Sequence, residues 1–186
     1  MMGYKHLLTV FCSVMLLGMA LAIPHLSQAA SATELNRDAK AALQKLYAKS
    51  PAAKTLGEKA TAILVFPAIT KGGFIVGGQF GEGALLKGGR ATGYYNTVSV
   101  SYGLQAGVQK YGYALFFMTD SALEYLNKSD GWELGTGPSI VIVDVGASGG
   151  VSTTTAKSDV YAFFFDQKGL MAGLGLQGTK ITKINK

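Results

Sequence analysis

Residues 93–120 read GYYNTVSVSYGLQAGVQKYGYALFFMTD, and this stretch constrains the fold more than any other. Val98, Val100, Tyr102, Leu104, Ala106 and Val108 alternate with Thr97, Ser99, Ser101, Gly103, Gln105, Gly107 and Gln109. A period of two sends the two sets to opposite faces, the pattern of a half-buried strand. The pattern predicts that the apolar set, Val100 and Leu104 among it, faces the core. Thr97 and Gln105 are then expected in water. Lys110-Tyr111-Gly112 interrupts the alternation, and Tyr113 to Met118 resumes as an apolar run. The expectation is a long strand, a tight turn or bulge, and an antiparallel return. Both edges of such a strand need hydrogen-bonding partners. Alternation of this kind reports burial and not chemistry, so most of these side chains read as scaffold.

Residues 1–29 read as a segment outside the fold. Lys5 opens it, Leu7 to Ile23 is mostly apolar, and Ser27-Gln28-Ala29 supplies small residues. That order is the pattern of a secretory signal peptide. An uncleaved anchor is the other reading of the same apolar stretch. Phe11 before Cys12 is too bulky for a lipoprotein cleavage site. Cleavage removes Cys12, His6 and His25, so residues 30–186 contain no cysteine and no histidine. Such a chain forms no disulfide and offers neither a thiolate nucleophile nor an imidazole base or ligand. Its core alone must hold the fold. The formal charge of +6 loses only Lys5, and the remaining basic excess suits an anionic partner. For an exported protein that points to a lipid surface rather than to nucleic acid.

Residues 30–60 are expected to be helical. Ser31 and Glu34 have capping-box spacing. Leu35, Ala39, Ala42, Leu43 and Leu46 fall on one face, with Tyr47 at its edge, and Arg37, Lys40, Lys45 and Lys49 lie opposite. Ser50-Pro51 starts a second, shorter helix with proline at its first position. The amphipathic segment supports two readings. Either its apolar face enters a headgroup layer, or that face packs on the rest of the protein with the lysines in water.

Residues 61–186 read as a glycine-rich β core. Ile63–Phe66, Gly72–Phe80, Gly83–Lys87, Ser139–Val145, Asp159–Phe165, Leu170–Leu176 and Thr179–Ile184 are strand-like. Ser121 and Glu124 repeat the capping-box spacing before one more short helix. Glycine inside strands costs stability, so bending or close backbone packing is expected to require it. The fold class is α+β: a strongly curved antiparallel sheet or barrel-like β core with N-terminal helices packed on it.

No catalytic or metal-binding residue is assigned, no cofactor is expected, and the chain reads as a non-enzyme. Gly173, Gly175 and Gly178 have the letters of a dinucleotide fingerprint, but no acidic residue follows them. Glu82 and Asp144 could pair only if the fold brought them together, and the sequence contains no sign that it does.

Three blocks carry a family resemblance. They are ILVFPAITKGGFIVGGQFGEG from Ile63, the central stretch from Gly93, and SDVYAFFFDQKGLMAGLGLQG from Ser158. In this order they resemble the SYLF domain family, with residues 30–186 as a single SYLF-like domain. The resemblance implies binding of acidic lipids, and in some fungal members also of actin. It places the lipid contact on the basic N-terminal segment, here Arg37, Lys40, Lys45, Lys49, Lys54 and Lys59. The tryptophan that eukaryotic members tend to carry before the central strand is here Tyr94-Tyr95. An exported member would not meet actin.

The resulting expectation is an exported, periplasmic or secreted module, peripheral on an anionic phospholipid surface of the envelope. The alternative is a small outer-membrane β-barrel or a structural envelope protein. The sequence leaves the oligomeric state open. Mass spectrometry of the exported protein is expected to show a chain starting near Ala30 with no acyl group on Cys12. A membrane-retained chain beginning at Met1 would overturn the signal-peptide reading.

Overall fold

The computed structural model describes residues 30–73, 76–102, 107–128, 131–144, 158–169 and 178–186. Two helices, α1 (Ala32–Lys49) and α2 (Pro51–Gly57), precede four long strands. These are β1 (Ala62–Gly73), β2 (Val76–Lys87), β3 (Arg90–Tyr102) and β4 (Gly107–Phe117). Helix α3 (Asp120–Lys128) follows, then β5 (Trp132–Glu133), β6 (Ile140–Asp144), β7 (Val160–Gly169) and β8 (Thr179–Ile184). The strands form one mixed sheet in the order β5-β8-β3-β2-β1-β4-β7-β6, curled into a half-barrel. Among the described strands only β6 and β7 run parallel. The expected α+β class with a strongly curved sheet and packed helices is what the chain adopts.

The local rules account for the helices. Ser31 caps α1: its hydroxyl accepts from the Glu34 amide, and the Glu34 carboxylate accepts from the Ser31 amide. Ser50 caps α2 through the Ala53 amide, with Pro51 at the first helical position. The start of α3 differs from expectation. Its cap is Thr119, whose hydroxyl accepts from the Ala122 amide at 3.3 Å, and not Ser121. Glu124 instead pairs with Lys128 one turn on.

The expected hairpin around Lys110–Gly112 does not form. Those residues lie inside β4, and β3 and β4 are not neighbours. The β1–β2 hairpin stands between them, which gives the Greek-key order 4-1-2-3. The irregularity at Lys110–Gly112 is a register shift against β7, at the bulge where Asp166 adopts φ 52°. A second shift, around Pro67, lets both Phe66 and Ile69 point to the same side.

Each face of the lower sheet carries a core. On the concave side lie Leu64, Phe66, Tyr95, Tyr113, Leu115, Phe117 and Phe164, with α3 and Trp132 packed among them. On the convex side Val65, Ala84, Ala114, Phe116, Phe163 and Phe165 lie beneath α1 and α2. Strand glycine serves close approach. A Cβ on Gly83 would sit 2.7 Å from both the Phe66 ring and the Val65 carbonyl oxygen. One on Gly112 would overlap the Phe165 ring.

Strand β3 inverts the face expected from its alternation. Thr97 is fully buried, whereas Val98 is 42% and Val100 57% exposed. Leu104 and Gln105 lie outside the described residues. The reason is volume and hydrogen bonding on the concave side. Three strand spacings separate β3 from β4, about 14 Å on a flat sheet. Tyr113 of β4 nonetheless donates its phenol to the Thr97 hydroxyl at 2.7 Å, so the curl brings the two strands face to face. Tyr111 donates to Gln79 at 2.6 Å, and Gln79 donates to Thr179 at 3.1 Å. Large tyrosines from one wall need small or polar partners on the other. Thr97 is buried because it fits and because its oxygen is satisfied. Burial pushes the Tyr111 phenol up to about 12 and that of Tyr113 further in the same direction, so both stay neutral donors at physiological pH.

Thr97→Asp is therefore expected to cost several kcal/mol, because it puts a carboxylate into a closed interior. Val98→Asp, one residue along and on the convex side, is expected to cost less than about 1 kcal/mol. Thermal melts of the two variants test the inversion, and equal losses would refute it.

Candidate functional site

The basic residues of the N-terminal segment are held at the surface by the packing of α1. Leu35, Ala39, Ala42 and Leu46 lie on the sheet. That apolar face is occupied by the core, so the segment presents charge and not a hydrophobic stripe. Arg37, Lys40, Lys45, Lys49, Lys54 and Lys59 are all exposed. They do not behave alike. Arg37 pairs with Asp38, its chain neighbour, at 2.9 Å. Lys49 reaches across to Asp166 of β7 at 2.6 Å. Lys40, Lys45, Lys54 and Lys59 form no ion pair among the described residues.

The Lys49–Asp166 contact shows where helix and sheet charges converge. Asp166 sits at the bulge of β7, and Lys45 and Lys168 are close enough to act on it. Lys168 in turn stands opposite Lys110 across the β4–β7 ladder. Lysines 45, 49 and 168 thus gather around one carboxylate, with Lys110 beside Lys168, an arrangement suited to phosphate or another anion. Sequence spacing could not reveal it, because Lys49 and Asp166 are 117 positions apart.

The other acidic residues flagged by the sequence have structural partners or lie far apart. Glu82 accepts from Lys186 at 2.7 Å, and the same ammonium donates to the Ala30 carbonyl. This pair ties the start of α1 and the last residue to β2. Asp144 lies on β6, with β1, β4 and β7 between it and β2 in the sheet order. The side chain of Asp144 lies outside the described residues. Asp159 accepts from the Ser139 amide and hydroxyl and joins the approach to β6 to that of β7. Those bonds from Ser139 hold its carboxyl below the usual range. Among the described residues no group of three His, Cys, Asp or Glu side chains converges as a metal site. The glycines at 173 and 175 lie outside the described residues, and Gly178 is exposed at the entry to β8.

The hydrogen bond from Lys49, together with the charges of Lys49, Lys45 and Lys168, holds the Asp166 carboxyl low against the opposing effect of partial burial. A depressed folded pKa means that the pair's contribution is complete above the unfolded value, about 3.9. It is lost as pH falls through the folded value. Both groups are substantially exposed, so the contribution is less than about 1 kcal/mol. In a carbon-detected NMR titration, Asp166 is expected to have its midpoint below that of an ordinary aspartate. Lys49→Met is expected to move it upward, and an unchanged midpoint would remove Lys49 as the cause.

None of the curated proteins matches the chain. A family model, Ysc84, described as Las17-binding protein actin regulator, matches residues 98–186. The match begins late in β3 and covers every later element, including Lys110, Asp166, Lys168 and Lys180. The N-terminal helices, β1 and β2 precede it. The match spans slightly less than half of the 186 residues, and over that part the chain is similar to the SYLF (Ysc84) family.

Proposed function

We propose that the protein is an exported, non-enzymatic lipid-binding module, peripheral on an anionic phospholipid surface of the envelope. The observation that carries this reading is the convergence of Lys45 and Lys49 of α1 with Lys168 of the sheet around Asp166. One carboxylate cannot neutralise three ammonium groups, and phosphates supply the remaining counter-charge. Lipid binding is a property of known family members, and this cluster is a physical basis for it here. Actin regulation, for which the family is described, belongs to a compartment that an exported chain does not enter. Residues 30–186 lack histidine and cysteine, which favours a binding role over catalysis.

The burial of the α1 apolar face makes the helical contribution electrostatic. Each lysine near an anionic surface contributes about 1 kcal/mol. Three or four together raise partitioning by about two to three orders of magnitude over a neutral surface. The attraction decays over about 8 Å at physiological ionic strength. The outer-membrane barrel is the weaker reading. A spanning barrel needs a closed sheet with a lipid-facing outer surface. Here the described sheet ends on β5 and β6, and part of its outer face lies under α1 and α2.

Co-sedimentation with vesicles tests the proposal. Binding is expected to phosphatidylglycerol-containing vesicles and not to phosphatidylcholine alone, and it should weaken as salt rises. The triple variant Lys40→Glu, Lys45→Glu, Lys54→Glu is expected to lose at least ten-fold in partitioning with an unchanged melting temperature. Lys49 is left in place because its replacement would leave Asp166 unpaired. A triple variant that binds like the wild type would remove the helical lysines from the contact.

A further inference from the structure

Helix α1 is about 27 Å long and covers only one band of the convex face. Beyond it, towards the end where β1 passes into β2, no helix among the described residues covers that face. The registers define what it presents. Lys180 of β8 stands opposite Val98 of β3, Val98 opposite Phe80 of β2, and Phe80 opposite Thr70 of β1. Thr70 stands opposite Lys110 of β4, and Lys110 opposite Lys168 of β7. Directly paired residues share a face, so these six form one row across the sheet. All six are exposed. The next row runs Val100, Gly78, Gly72, Val108.

Four large apolar side chains therefore stand together in water: Phe80 at 53%, Val98 at 42%, Val100 at 57% and Val108 at 62% exposure. Lysines bound them on both sides, and neither row contains an acid. Clustered apolar exposure of this kind marks an interaction surface. The glycines between the valines keep the patch shallow, and the curl makes it a crest that touches a flat surface along its length.

We propose that this crest is a membrane-insertion surface. Phe80, Val98, Val100 and Val108 enter the headgroup layer of an anionic bilayer, while Lys110, Lys168 and Lys180 hold its phosphates. The charge pattern selects the occupant. A second copy bringing the same rows would set lysines against lysines, whereas a phosphate surface complements them. The inference rests on the membrane-binding reading above. It adds a second contact, made by the sheet and not by the helix, and an apolar one. Lys168 belongs to both contacts, so the crest and the helical lysines meet the bilayer from adjoining sides.

Two variants of the full chain test it. Phe80→Ser with Val100→Ser leaves every charge in place, and it is expected to weaken partitioning onto phosphatidylglycerol vesicles at least ten-fold with little change in melting. Phe80→Trp places an indole on the crest. Its emission is expected to shift to the blue on those vesicles and to be quenched by lipids with brominated acyl chains. Trp132, only 1% exposed, supplies a constant background. Should the double variant fail to fold, Phe80→Trp decides alone. If the wild type binds vesicles but the double variant binds equally well, or the new indole is neither shifted nor quenched, the crest is not inserted. The inference then falls while membrane binding stands. A wild type that binds no vesicle removes both. A lipid-free dimer that the double variant splits into monomers would assign the crest to a second copy and overturn the proposal.

Discussion

The hydrogen bond from Tyr113 to Thr97 depends on the curl of the sheet, and most of the structure follows from that curl. The two residues belong to strands separated by the whole β1–β2 hairpin. Gly83 leaves room for Phe66, and the shift around Pro67 turns Phe66 and Ile69 to the same inner side. A Cβ at Gly83 would collide with the Phe66 ring and the Val65 carbonyl oxygen. The loss of strand stability that glycine brings is offset by a filled concave core of large aromatic residues.

Tyrosine and phenylalanine rings fill the concave side. The upper interior is spanned by Tyr111, Gln79, Thr179, Tyr113 and Thr97, which satisfy one another's polar atoms. On the convex side α1 covers one band with its own apolar face, and among the described residues no helix covers the neighbouring band. The division is set by helix length and by where Ser31 and Ser50 begin and end the helical segments.

Charge is distributed on the same logic. The lysines of α1 face away from the sheet because its leucines and alanines are taken by the convex core. The bulge at Asp166 brings β7 under the end of α1, so that helical and sheet lysines share one carboxylate. A single surface ion pair of this kind contributes little to stability. Its effect is to fix where positive charge accumulates beside the open crest.

The sequence by itself determined what local rules govern. Ser31, Glu34, Ser50 and Pro51 state the two helices and their caps. The spacing of Leu35, Ala39, Ala42 and Leu46 states which helical face is buried. The glycine-interrupted apolar runs state a bent sheet, and the ordered blocks carry the resemblance to the SYLF family. The faces and partners of the strands were decided only by tertiary structure. Period-two alternation in Thr97–Val100 separates two faces but cannot say which is inside, because that depends on what stands opposite. The curl put Tyr113 opposite Thr97, so the small polar set was buried and the valines were left outside. Likewise, the break at Lys110–Gly112 looks the same in sequence whether it is a hairpin turn or a bulge within one strand. The choice rested on β1, some forty residues earlier, occupying the edge of β4. The gathering of Lys45, Lys49 and Lys168 and the apolar crest beside it arise from strand order and register. These are long-range pairings that no local pattern encodes.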